Sequence, residues 1–116
     1  MSDDLKIDTV RSYSSGTPGR ALNTARTNHY VIDSSTNPEA LSTVEAFLSG
    51  ISACGVTLIE LHAQQTGVPL ERAEVTIEGV RNTANPGSFQ AVNMRFELSG
   101  VDQAQAEQLV ETYKGR

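Results

Sequence analysis

A chain of 116 residues, 38% hydrophobic and 20% charged, fits one globular domain with a modest core. Nine Lys and Arg against 14 Asp and Glu leave a net charge of −5, so repulsion from phosphate argues against a nucleic-acid or anionic-membrane partner. A single cysteine excludes an internal disulfide, and the acidic opening "MSDDLKID" lacks the pattern of a signal peptide, so a soluble, cytoplasmic protein is expected.

In chain order, "LKIDTVRSYS" (5–14) partly alternates apolar and polar residues through Leu5, Ile7 and Val10, which predicts a strand. "SSGTPGR" (14–20) supplies Gly16, Pro18 and Gly19 for a turn that presents Arg20. It lacks the Gly-Lys-Ser/Thr ending of a phosphate loop. "ALNTAR" (21–26) and "HYVID" (29–33) read as two short strands around a Thr27-Asn28 turn, and "SSTNPEAL" (34–41) as a loop.

The strongest signal follows. "STVE" (42–45) has the spacing of a capping box, with Ser42 and Glu45 as its two members. Val44, Phe47, Leu48, Ile51, Val56, Leu58, Ile59 and Leu61 then recur at helical spacing over more than one face. Gly67 suits the position after the last turn and Pro69 forbids continuation, so a helix is predicted from about 43 to 66. Its apolar circumference predicts burial on several sides, some of it by a second subunit. Its longest uncharged run, Ala46 to Ile59, is 14 residues, which is short for a bilayer crossing.

"AEVTIEGVR" (73–81) and "FQAVNMRFELSG" (89–100) alternate cleanly about the turn "NTANPGS", predicting a β-hairpin with one dry face. Asp102 and Gln105 form a second capping-box pattern, and Ala106, Leu109, Val110 and Tyr113 mark one stripe of a final helix. The order β-β-β-α-β-β-α is an α+β pattern with antiparallel sheets.

Cys54 lies in the middle of the long helix. Free cysteine is commonly a small core residue, whereas a reactive one needs a positive charge or a helix N-terminus to hold its thiolate. Cys54 is three turns in, so the stabilising charge would come from an arginine elsewhere in the fold. Glu45 is nine residues earlier, about 13–14 Å along the axis at 1.5 Å per residue. The two share a site only if the helix breaks between them or an arginine bridges them. Glu45 otherwise serves the capping box. His29 and His62 are isolated from any second ligand at metal spacing, so neither a metal nor another cofactor is expected.

These residues carry a resemblance to the OsmC/Ohr family of thiol-dependent hydroperoxide-resistance proteins. "TVEAFLSGISACGVTLIELHAQQTGVPLERAEVTIEGV" (43–80) resembles the family's Pro-x-Glu-Leu-Leu-Leu-Ala-Ala-Leu-x-x-Cys helix with the following turn and strand. "GRALNTARTNHYVID" (19–33) is similar to its N-terminal hairpin. The resemblance implies an intertwined homodimer, with sheets of both chains wrapped around two central apolar helices. It also implies that Cys54 is the peroxidatic thiol, that Glu45 orients an arginine, and that Arg20 or Arg26 is that arginine, Arg20 being favoured. Two departures stand out: Ser42-Thr43 occupy the place of the family's proline, and "ETYKGR" ends where a segment with a resolving cysteine is expected to begin. A chain with one cysteine implies an external thiol or dithiol as reductant. The expected function is a thiol peroxidase acting on organic hydroperoxides or hydrogen peroxide, with turnover weakened or absent in this 116-residue form for want of a resolving cysteine. Its rival is a catalytically silent dimeric domain that holds an apolar molecule, with Cys54 merely packed.

Overall fold

A computed structural model describes residues 4–34 and 37–115, so Ser35 and Thr36 of the expected 34–41 loop lie outside the described residues. The elements are β1 (Arg11–Ser14), β2 (Ala21–Ala25), β3 (Asn28–Ile32), α1 (Thr43–Thr66), β4 (Arg72–Asn82), β5 (Asn85–Ser99) and α2 (Gln103–Lys114), the predicted order. Contacts fall into two compact units, Met1–Ala46 and Phe47–Arg116.

In the first unit, β1, β2 and β3 form an antiparallel sheet in that order. Gly16 and Gly19, with φ of 100° and 88°, supply the left-handed backbone that turns β1 into β2. The next turn is Arg26-Thr27, one residue earlier than expected, with Arg26 itself at φ 56°. Asn23 is buried on the middle strand and fully engaged: it accepts from Ser12 Oγ at 2.6 Å and donates to the carbonyls of Ala21 and Tyr30. β1 is shorter than predicted. Its pairing with β2 begins at Arg11 opposite Thr24, so residues 4–10 have the alternation of a strand but no ladder to join.

α1 spans the predicted range to the residue. The Ser42 hydroxyl accepts from Glu45 N at 3.1 Å, and the Glu45 carboxylate accepts from Ser42 N at 2.9 Å, closing the capping box. At the other end Gly67 takes φ 73° and Val68 N donates to Ala63 O at 3.0 Å, the bond that closes a Schellman motif.

The second unit packs β4 and β5, a long antiparallel hairpin, with α2 and most of α1. The register sets Ala73 opposite Leu98, Val75 opposite Phe96 and Ile77 opposite Met94, so the apolar residues of both strands share one face. α2 starts in the second capping box, where Asp102 accepts from Gln105 N and Gln105 returns the bond. The core gathers Ile59, Ala63 and Leu109, with Phe96, Leu98 and Val110 packed around them.

The covering of α1 is thinner than its sequence predicts. Within this chain only Gly55, Ile59 and Ala63 are buried, an i, i+4, i+8 stripe. Phe47 and Leu61 remain 58% and 53% exposed, because one hairpin and one helix cover one face of a helix that is apolar on several. The 24 residues also include an 18-residue window of mean hydropathy 1.5, enough by length and composition to cross a bilayer despite the 14-residue uncharged run. The core helix of a globular protein passes the same test.

Candidate active site

Cys54 lies on the part of α1 that the hairpin does not cover, and its side chain is exposed. The reason is angular. Gly55 faces inward with Ile59 and Ala63, so its neighbour at 100° around the helix faces out. The thiol opens into a cleft of about 530 Å³, walled by Phe47, Gly50, Ile51 and Leu58 of α1 and by Tyr113 and Lys114 at the end of α2. The cleft is mainly apolar, with one cation at its rim. Lys114 Nζ is 3.5 Å from Glu111 Oε1 of its own helix. The hydroxyl of Thr57 donates to the Cys54 carbonyl at 3.3 Å, a local helix contact that leaves the sulfur free of it. In this chain the thiol is not packed into the core.

Glu45 sits in the first turn of α1. Its carboxylate is engaged with the Ser42 amide, as the capping reading expects. α1 runs without interruption from Thr43 to Thr66, so nine residues of helix separate Glu45 from Cys54, and no break brings them together.

Arg20 stands one position beyond the β2–β3 ladder, where the register Ala21 opposite Ile32 places Asp33 across from it. Its Nε donates to Asp33 Oδ1 at 2.6 Å and its Nη2 to Asp33 Oδ2 at 3.3 Å, a bidentate pair. Nη2 also reaches Glu39 Oε1 at 2.5 Å. The Asp33 side chain is fully shielded, that of Glu39 largely exposed. Asp33 takes a further bond from Ala40 N at 2.8 Å, and its own N–H donates to Leu41 O. Hydrogen bonding from Arg20, outweighing the cost of desolvation, holds the Asp33 carboxyl below its ordinary range, and the same bonds raise the guanidinium further above its own. Neither Asp33 nor Glu39 was singled out from sequence.

Arg26 sits in the β2–β3 turn. Among the described residues its side chain has no hydrogen-bond or ion-pair partner. Histidines and carboxylates do not gather either: among the described residues no group of three or more His, Cys, Asp or Glu is placed to hold a metal ion.

Comparison with known proteins gives this geometry a context. Solved structures with the same fold include an OsmC-like protein from Mycoplasma pneumoniae, with TM-score 0.82, 16% identity, and 96% of this chain matched to 82% of that one. The organic hydroperoxide resistance protein OhrB of Bacillus subtilis matches with TM-score 0.62 and 14% identity over 97% of this chain and 86% of its own. An organic hydroperoxide resistance protein from Elizabethkingia anophelis gives 0.58 and 16%, over 98% and 85%. At such identities the likeness is one of fold. No curated protein matches the chain by sequence. The model of the OsmC-like protein family, however, matches residues 35–116, from the loop before α1 to the end of the chain, and on that match the chain belongs to the OsmC-like family.

Proposed function

We propose that this protein reduces hydroperoxides through Cys54. The observation that carries the reading is the exposed thiol at the mouth of an apolar cleft, in a chain whose family includes proteins named for hydroperoxide resistance. In the proposed step the Cys54 thiolate attacks one oxygen of the peroxide and the O–O bond breaks. Sulfur is oxidised to sulfenic acid, and the other oxygen leaves as alkoxide and takes a proton to give the alcohol. A hydroperoxide with an apolar organic group fits walls made by Phe47, Ile51 and Leu58 better than a fully polar one. The sequence holds one cysteine, so an external thiol or dithiol attacks the sulfenic sulfur and displaces water to leave a mixed disulfide, and a second external thiol then attacks that disulfide and releases the Cys54 thiol.

The positive charge assigned to the thiolate falls to Arg20 or Arg26. Arg20 is already matched by two carboxylates, one of them shielded from water, and the trio carries net negative charge. Arg26 has an uncommitted charge and a backbone conformation that turns usually give to glycine, which favours it over Arg20. Glu45 is the carboxylate assigned to orient that arginine. We further propose that the protein works as a homodimer in the cytoplasm, the second copy covering the open face of α1.

The test is a single-turnover reaction of reduced protein with cumene hydroperoxide, followed by intact mass, with Cys54→Ser as control. Rapid, stoichiometric gain of one oxygen that is absent from Cys54→Ser is the expected result, and Arg26→Met slows it more than Arg20→Met. Oxidation no faster than that of a free thiol overturns the reading in favour of a silent domain that holds an apolar molecule in the same cleft.

A further inference from the structure

Tyr113, in the last turn of α2, is tied to the turn of α1 that carries Cys54. Its hydroxyl donates to the carbonyl of Ile51 at 3.3 Å, across 62 residues of sequence. That carbonyl is also the helix acceptor for the amide four residues on, Gly55, so Cys54 lies within the turn the bond closes. The ring lies over Gly55 itself: a Cβ there would stand 3.5 Å from Tyr113 Cζ, an ordinary packing distance. Two neighbours hold the ring in place. Phe96 packs at a tilt with centroids 5.8 Å apart, and Met94 Sδ lies 3.9 Å from the hydroxyl. Tyr113 thus touches α1 one residue after Cys54 and three before it, and forms a wall of the cysteine's own cleft.

A half-buried phenol with a satisfied hydroxyl is a rigid strut. Here it braces a turn in which Gly55 alone is fully buried and Ala53 and Cys54 are exposed. Attack on an O–O bond requires the sulfur in line with that bond, and a reacting atom displaced by a fraction of an ångström loses rate. We propose that Tyr113 is the positioning residue of the Cys54 site, fixing the turn 51–55 and with it the direction of the thiol in its cleft. The proposal rests on the reading of Cys54 as the reacting thiol.

The experiment compares wild type with Tyr113→Phe, which keeps the ring and removes only the hydroxyl. Amide hydrogen exchange reports the turn; peroxide oxidation and iodoacetamide alkylation report the thiol. A neutral hydrogen bond of ordinary worth corresponds to about a two- to tenfold effect. Exchange at the amides of 52–55 is expected to rise by that factor with little change in the global unfolding midpoint. The limiting rate of oxidation by cumene hydroperoxide falls by a similar factor at unchanged half-saturating concentration, while alkylation, which needs no such alignment, does not fall. Unchanged exchange overturns the proposal, as does a fall in both thiol reactions together. If wild type itself fails to react with peroxide, the peroxidase reading fails on its own. The brace is then judged by exchange alone: it rises in Tyr113→Phe if the brace holds, and unchanged exchange overturns it.

Discussion

Asp33 carries its charge in a place shielded from water, where a carboxylate is stable only because Arg20 and the Ala40 amide bond to it. Its pKa is lowered in the folded protein, so the sign of its linkage is fixed. The stability it contributes is present above the unfolded value of 3.8 and is lost as pH falls through the lower folded value. Denaturant midpoints measured from neutral pH down through the carboxylate range should therefore fall on acidification, and Asp33→Asn should flatten part of that fall while lowering the midpoint at neutral pH. Glu39, largely exposed, contributes far less to the same arginine. Glu39→Gln is expected to leave the thermal midpoint nearly unchanged where Asp33→Asn lowers it by several degrees. Sequence could have found this pair. A two-residue turn centred on Arg26-Thr27 sets residue 20 opposite residue 33, whereas the expected turn at Thr27-Asn28 sets it opposite residue 35. One residue of error at the turn concealed the partner of Arg20.

The elements were far more legible than the contacts between side chains. Both helices announce themselves by caps whose bonds the structure contains, and Gly67 with Pro69 fixes the end of α1. β1 was overread because alternation is a property of sequence, while a strand is a property of pairing: Leu5 and Ile7 alternate correctly and have no neighbour. Three substitutions test these elements. Asp102→Ala removes the side-chain acceptor at the start of α2 and should cost about 1 kcal/mol in chemical denaturation. Glycine replacements should differ in sign. A Cβ at Gly79 would overlap the Phe89 ring, which stacks on Phe47 at 6.1 Å, so Gly79→Ala should destabilise by about 1–3 kcal/mol. At Gly55 the added carbon meets only ordinary contacts, and the helix preference for alanine should stabilise by up to about 1 kcal/mol.

At the scale of the molecule, the residues fully buried are few, Ile59 and Leu109 being the only large aliphatics among the described ones. Each is worth roughly 1.5–3 kcal/mol of burial, a thin core beside the entropy of ordering a chain this long. Meanwhile Phe47 and Leu61 of α1 stay open. Apolar surface of this extent marks an interaction face. Sedimentation is expected to give twice the 12.5 kDa chain mass, and Leu61→Lys should shift the protein toward monomer and lower its melting temperature. Monomers that instead float with lipid vesicles would assign the face to a membrane. The composition of α1 made this face visible in the sequence, where a second subunit was expected to cover part of it. An open face of this kind makes stability a collective property. If copies cover one another, melting temperature climbs with protein concentration, and dilution alone unfolds what heating would otherwise be needed to unfold. Because a two-fold contact presents every residue twice, one substitution on α1 would act on both sides of the seam at once. That helix would then be the part of the sequence least free to drift.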